Sequence, residues 1–403
     1  MLRQQLPAPA PARVLACGAW LKNTACLLDG EAVWMSPLHG DLGTPEARSA
    51  LLDSVAQLQQ MAGGPIEAVA HDLHPDFFST GVAQQLAHKL GVPAIAVQHH
   101  HAHIAQVQAQ HAPGQALLGW ALDGVGLGTD HTAWGGELLL VQGATFERIH
   151  HLPQLHLPGG DAAAREPWRM AVAALHRLGL NATDHLRTGT LPPVPAASIK
   201  GVSSMLARGL NCPVTTSAGR WFDAVAGLLS VCWWQTEEAQ AAIALEQLAR
   251  QWLSENAAPE PDAELIAAGL NLDVLLRRLV SLAEGMASGA EANPAAYRAM
   301  QAKGAALFHV ALADALAQAA IKAAQQRRVN VIALGGGCFF NRILRGRLQD
   351  TLTHAGLTVH LPLDSAYGDA GLAVGQAWVA AHHVRAATGI ETHTSTTRNS
   401  LCV

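Results

Sequence analysis

The segment Ala94-Ile-Ala-Val-Gln-His-His-His-Ala-His-Ile-Ala-Gln-Val107 narrows the fold more than any other part of the chain. An apolar run that reads as a strand meets four histidines, His99, His100, His101 and His103, and continues in the pattern of a helix. Helical residues four apart lie on one face. His99 and His103 can therefore aim both imidazoles at one metal ion, as in other His-x-x-x-His sites. Packing does not ask for four histidines in five positions at a strand-to-helix junction, and an internal cluster is not an expression tag. His100 and His101 would face the cleft or stand behind the ligands. Two imidazoles do not complete a site, so carboxylates must come from elsewhere in the chain.

The chain has 403 residues, 50% of them hydrophobic and 14% charged, enough for two lobes with separate cores. Its net charge is −5 and its Lys and Arg residues are dispersed, so no nucleic-acid footprint is expected. Six cysteines without a Cys-x-x-Cys read as reduced thiols of a cytoplasmic protein. No signal peptide is expected, because Arg3, two glutamines and a Pro-Ala run precede any apolar segment. No membrane span is expected either: His309, Asp314, Gln318 and Lys322 interrupt the run Ala305–Gln325.

Residues 1–12, ending in a Pro-Ala repeat, read as a stiff extended linker. Val14–Leu28 reads as two strands around a turn, and Asp29-Gly30 as the hairpin into a third, Glu31–Met35. Lys22, near the first turn, either meets an anion or is a surface lysine. Thr44–Met61 has helical periodicity behind a Thr cap and Pro45. Ala68–Pro75 is a strand entering a loop whose His71 and His74 could line a cleft. A helix over Gly81–Leu90 and a strand over Pro93–Val97 lead into the histidines. Ala116–Gly128 reads as a buried strand ending in Asp123 and three alternating glycines, with another strand at Trp134–Val141. Such a turn lets backbone N–H groups approach a phosphate or acyl oxygen. Asp123 either ligates a metal or caps the turn.

Beyond His150 the pattern is mostly helical, with a helix opening at Pro167 and others over Glu237–Leu253 and Leu265–Gly285. Thr215–Leu229 carries caps and then an amphipathic helix with Gly219 and Asp223 four apart on one face. There a carboxylate can hold ribose hydroxyls, or Asp223 is a surface acid. After the helix Ala305–Gln325, Asn330–Asn341 reads as a core strand, a triple glycine and a helix start, a place suited to an anion. No Lys-Ser/Thr follows the glycines, so this is not a P-loop. Leu357–Leu361 is the next strand. Asp369 opens an apolar helix running to about His383, as its cap or as a metal ligand. The tail from Arg385 is polar and reads as disordered.

With these pieces in place the chain resembles the two-lobed, actin-like ATPase fold, an α/β architecture of the ribonuclease H-like kind with helical insertions. It is most similar to the carbamoyltransferase domain of the HypF family of nickel–iron hydrogenase maturation proteins. The carriers are Leu21-Lys-Asn-Thr24, Ala70-His-Asp-Leu-His-Pro-Asp76, Val97–His103, Ala121-Leu-Asp-Gly124, Trp134-Gly-Gly-Glu137, Arg165-Glu-Pro-Trp-Arg169, Ser217–Ala226, the glycine turn through Asn341, and Asp369 with Gly371. The resemblance implies residues 13–150 as the lobe with the metal-binding histidines. It implies 151–384 as the lobe with a helical insertion and the nucleotide-binding turn, and 385–403 as a polar tail. It implies metal ligation by His99, His103, Asp123 and Asp369, with Fe or Zn as the divalent ion. It implies Gly219, Asp223, Gly336, Gly337 and Asn341 around the adenosine of ATP or carbamoyl adenylate, and Lys22 and His74 at the carbamoyl end.

The implied activity is transfer of a carbamoyl group from carbamoyl adenylate to the C-terminal cysteine of HypE. A YrdC-like domain acting in trans would make the donor, since HypF proteins carry that domain upstream and this sequence does not. The sequence is then either a stand-alone relative or a piece of a longer protein. No membrane or nucleic-acid partner is implied. Several residues depart from the family pattern: Gly368 and Ala370 flank Asp369 in place of Asn and Gly, the turn reads Gly-Gly-Gly-Cys-Phe-Phe-Asn, and His131 replaces a glycine. The alternatives are a non-catalytic subunit that binds nucleotide and metal, and a small-molecule O-carbamoyltransferase.

Overall fold

The computed structural model describes residues 1–186, 194–287, 293–387 and 389. Two sheets form, and the chain crosses between them once on the way out and once on the way back. The first contains β1 (Leu2–Gln5), β2 (Val14–Ala16), β3 (Cys26–Asp29), β4 (Ala32–Met35), β5 (Ala68–Asp72) and β6 (Ala94–Val97), in the order β1-β4-β3-β2-β5-β6. Its first four strands pair antiparallel, whereas β2, β5 and β6 run parallel, because helices connect them. The second contains β7 (Leu117–Leu127), β8 (Ala133–Gln142), β9 (Thr145–His151), β10 (Leu155–His156), β11 (Val214–Thr215), β12 (Val331–Gly335) and β13 (Thr358–His360). Its order is β10-β11-β8-β7-β12-β13, with β9 also on β8.

Local chemistry sets the helix ends around the first sheet. Thr44 accepts from Ala47 N, and Pro45 opens the helix Pro45–Met61. Phe78–Leu90 stops at Gly91, whose φ of 68° suits glycine. These two helices cover the outer face of the first sheet through Leu51, Val55, Leu58, Val82 and Leu86.

Between the sheets lie two helices packed on each other, His99–His111 and Leu372–Ala387. The histidine helix is buried from His99 through Gln110. Ala102, Ala105 and Ala109 join the core of the first sheet, while Ile104 and Val107 join β7, β8 and β12. A helix enclosed all round shows no polar face, and here two of the interior glutamines, Gln108 and Gln110, bond to backbone. Gln108 Nε2 donates to Gln115 O at 2.7 Å, and Leu363 N donates to Gln110 Oε1 at 3.0 Å. Helices including Pro167–Arg177, Ala218–Leu228, Gln240–Glu255 and Pro294–Arg327 form the core on the far side of the second sheet.

Several expectations are corrected. Residues 1–12 are not a free linker: Leu2–Gln5 is an edge strand on β4, and Leu6 and Ala12 are buried. A division at residue 150 falls inside β9. The sheets part between β6 and β7, so β7 and β8 belong with the second lobe, and the helix Leu372–Ala387 returns to pack on β2, β3 and β5 of the first. That helix also runs through Ala387, past the expected start of the tail; residues 390–403 lie outside the described residues. The helix expected at Ala305–Gln325 extends over Pro294–Arg327. By length and composition it could cross a membrane, but 72% of its most apolar window is buried inside the protein. The mixed α/β, two-lobed architecture is as expected.

Candidate metal and nucleotide site

The histidine helix starts one residue after β6, with Gln98 as its cap accepting from His101 N at 2.8 Å. That junction fixes the first helical turn, and the four-residue spacing puts His99 and His103 on one side. Asp123 lies inside β7, which runs on past the expected strand end to Leu127, at the point where the register with β8 shifts between Leu122 and Gly126. Such a bulge re-aims a side chain. Ser217 Oγ donates to Asp123 O and Gly124 O, and Gly337 N donates to Asp123 Oδ1 at 3.2 Å. Asp369 sits in the tight turn before the C-terminal helix. Glycines bring that helix close enough: a Cβ on Gly375 would lie 1.8 Å from Ala102 O, and one on Gly371 would lie 2.3 Å from Gln106 Nε2.

The four side chains converge, each offering a ligand atom within 4.8 Å of the others. His99 Nε2 is 3.2 Å from Asp123 Oδ2 and 3.5 Å from Asp369 Oδ1. His103 Nε2 is 3.5 Å and 3.6 Å from the same two oxygens. Ligand atoms about 2.0–2.1 Å from a tetrahedral ion stand roughly 3.4 Å apart, the spacing of these pairs. Among the described residues, neither nitrogen of the enclosed His103 has a hydrogen-bond partner. Charge points the same way. Burial pulls His99 and His103 down, but Asp369, Asp123 and, for His99, Asp72 outweigh it and raise both imidazoles. Burial pushes Asp123 and Asp369 up, yet the two imidazoles hold both below the usual carboxylate range. The carboxylates thus bias both imidazoles toward the charged form, supplying positive charge where a divalent cation would otherwise supply it. The residues fit such an ion.

Asp72, at the end of β5, was not singled out by sequence reasoning. Its Oδ2 accepts from His99 Nδ1 at 2.8 Å. The signal available was the short His71-Asp-Leu-His74 run, in which the histidines drew the eye. The remaining histidines of the cluster are buried: His101 Nε2 donates to Gly143 O, and Gln98 Nε2 donates to His100 Nδ1.

A cavity of about 490 Å³ adjoins the cluster, sharing Asp123. Gly219, Asp223, Gly337 and Asn341 line it, as does Lys22. Gly336 does not; its φ of 102° and close approach to Leu122 O place it against β7 instead. Burial pushes the Asp223 carboxyl up to about 6, against Arg220 and Gln235, which pull it down. Arg220 Nη2 is 2.8 Å from Asp223 Oδ2. Asn341 is half committed to the fold: its Oδ1 accepts from Leu344 N and its Nδ2 donates to His309 Nε2.

The N–H groups expected to face an anion already have partners. Gly337 N meets Asp123, and Arg342 N meets Glu246 Oε1 at 2.9 Å. Sequence reasoning also missed the apolar wall of the cavity: Phe222, Ile243 and Phe340 line it, the last two half exposed. Lys22 Nζ is 2.9 Å from Glu238 across the cavity mouth. His74 is outside the cavity lining; its ring stacks on Phe77 at 4.3 Å, and its backbone N donates to Asp72 Oδ1. His131, in place of the family's glycine, adopts φ 62° in the turn between β7 and β8.

Comparison with known proteins adds the following. Residues 9–110 match the family described as the HypF Kae1-like domain, and residues 119–376 match "Carbamoyltransferase, Kae1-like Domain, second subdomain". A carbamoyltransferase HypF homolog of Cupriavidus necator is 54% identical over 398 residues, 98% of each chain. Carbamoyltransferase HypF2 of the same organism is 45% identical over 91% of this chain, which spans only 46% of that protein. Among solved structures, T. kodakarensis HypF superposes with a TM-score of 0.81 at 28% identity, over 96% of this chain and 49% of that one. Full-length HypF in a phosphate- and nucleotide-bound form gives 0.76 at 29% identity, over 94% of this chain and 56% of that one.

Proposed function

This chain belongs to the HypF carbamoyltransferase family, and from that premise we propose that it transfers the carbamoyl group of carbamoyl adenylate to the C-terminal cysteine of HypE. One observation carries the proposal: the four-residue cluster and the cavity are continuous through Asp123, so a metal-bound carbonyl and a nucleotide can share one site. The solved HypF with bound nucleotide supports the nucleotide half.

In this reading Phe222, Ile243 and Phe340 receive the base, and the Asp223 carboxylate accepts from the ribose. Arg220, already in the cavity, balances the phosphate, while Gly219, Gly337 and Asn341, which also line it, bound the space for the adenosine. A divalent ion, Fe or Zn, held by His99, His103, Asp123 and Asp369 would polarise the carbamoyl carbonyl and offset charge growing on its oxygen. The partner's thiolate sulfur forms a bond to the carbamoyl carbon, the carbon–oxygen bond to phosphate breaks, and AMP leaves with the electron pair. The nucleophile arrives with HypE, so these residues bind and orient rather than attack. Lys22, which lines the cavity, is the candidate for the carbamoyl end; His74, outside the lining, reaches the site only through its backbone bond to Asp72. A YrdC-like domain supplies the donor, in the cytoplasm, and the thiocarbamate formed is the precursor of the cyanide ligands on the iron of the hydrogenase.

A single-turnover assay tests this. Pre-made carbamoyl adenylate and HypE are mixed with the protein, and the HypE C-terminal peptide is followed by mass spectrometry. A carbamoyl adduct on the cysteine is expected, and its loss in His103→Ala. The substitutions flanking Asp369, Gly368 and Ala370, favour a second reading, a subunit that binds nucleotide and metal without turnover. No adduct while both ligands still bind would establish that reading in place of the first.

A further inference from the structure

The two histidines of the cluster are held differently. His103 has no hydrogen-bond partner on Nδ1, so only helix packing orients it. His99 Nδ1 lies 2.8 Å from Asp72 Oδ2, and Asp72 is 1% exposed. Among the described residues His99 is the only ion-pair partner of that carboxylate. Its other oxygen, Oδ1, accepts from His74 N at 2.9 Å. The backbone holds Asp72 still: it pairs in register with Val97 of β6, two residues before His99, and Leu73 N donates to Val97 O. A carboxylate accepting from Nδ1–H leaves the lone pair of the neutral ring on Nε2. In His99 that is the nitrogen facing Asp123 and Asp369.

We propose that Asp72 is a positioning residue, which holds His99 in the tautomer and orientation that present Nε2 to a divalent cation and couples that ring to the His74 turn. The inference rests on the metal reading of the cluster. Asp72→Asn keeps the volume but can turn an amide N–H toward Nδ1. The ring proton then moves to Nε2, and His99 no longer ligates.

The test is Zn²⁺ and, anaerobically, Fe²⁺ affinity, measured by chelator competition on the full chain for the wild type, Asp72→Asn and His99→Ala. Asp72→Asn is expected to weaken affinity about 10–100-fold, as loss of such an outer partner does elsewhere, with the circular dichroism of the metal-free protein unchanged. Wild-type protein that takes up neither ion overturns the metal reading and this inference with it. Wild-type binding matched within twofold by Asp72→Asn overturns the role of Asp72 alone. If Asp72→Asn does not fold, the wild type decides by nitrogen-15 histidine NMR of the Zn²⁺ form, with the His99 signal identified by its loss in His99→Ala. A proton on Nδ1 and zinc on Nε2 is the expected result; the reverse tautomer refutes it.

Discussion

At the scale of single residues, the cluster is a set of charges that cannot rest without a cation. In the metal-free protein His99 and His103 keep their protons above the ordinary imidazole range, because the neighbouring carboxylates outweigh burial. A group whose folded pKa is raised lends stability that is complete below its unfolded value, about 6.5 for histidine. That stability is lost as pH climbs through the higher folded value. Metal-free protein should therefore melt at a lower temperature at pH 8.5 than at pH 6.5. Saturating Zn²⁺ should cancel or reverse the trend, since the ion replaces two protons and its binding strengthens as they leave. Calorimetry across that pH range, with and without metal, is the check. His101 and His309, pushed down to about 4 by burial, titrate below the window. The double variant His99→Gln/His103→Gln should flatten the metal-free slope; a slope unchanged by it would assign the effect elsewhere. Much of this centre was legible beforehand. Two histidines four apart announce a shared face, and an acid at a strand end or helix start announces a chain reversal toward a cleft. Asp72 was not legible, because its partner lies 27 residues away and only the parallel pairing of β5 with β6 brings them together.

At the scale of elements, the site depends on how closely two helices approach. Asp369 reaches the histidines only because the helix Leu372–Ala387 lies against His99–His111 with glycines at the contact. Gly375→Ala puts a methyl where Ala102 O stands, and backbone cannot step aside as a flexible side chain can. Overpacking of this kind costs about 1–3 kcal/mol, so the urea midpoint should fall. Displacement of Asp369 should weaken Zn²⁺ binding in the same variant. A stable variant with full affinity would mean that the helices are looser than they look. The periodicity of the C-terminal helix predicted its existence but not this contact, which is a property of two segments far apart in sequence. The helix Gln240–Glu255 gives the same lesson. A helix is expected over Glu237–Leu253, yet nothing in it distinguishes Ile243 and Glu246, which line the cavity, from ordinary surface positions.

At the scale of the whole molecule, the lobes are not independent. The first sheet ends at β6, but the inner face of that sheet is covered by residues from the far end of the chain. Leu372, Val374 and Trp378 share one buried cluster with Val14, Ala16, Leu28 and Ile95. The candidate ligands follow the same plan: two come from the helix between the sheets, one from β7 and one from the lead-in to the C-terminal helix, while Asp72 stands on the first sheet. A chain of two self-contained lobes, as sequence reading expected with its boundary in β9, would let each fold alone. Here residues 1–112 by themselves would leave in water the part of the first sheet's inner face that Leu372, Val374 and Trp378 cover, and burial of each such side chain contributes about 1.5–3 kcal/mol. That loss rivals the total stability of a small domain, about 5–15 kcal/mol. The fragment 1–112 should therefore give a collapsed NMR spectrum and no cooperative melt. Co-expression with a segment spanning residues 366–389 should restore dispersion and a single transition. Because Asp369 lies in that segment while Asp123 does not, the restored pair should still bind Zn²⁺ far more weakly than the full chain. A cooperative melt from 1–112 alone would show that the returning helix is an ornament on the first lobe rather than half of its core.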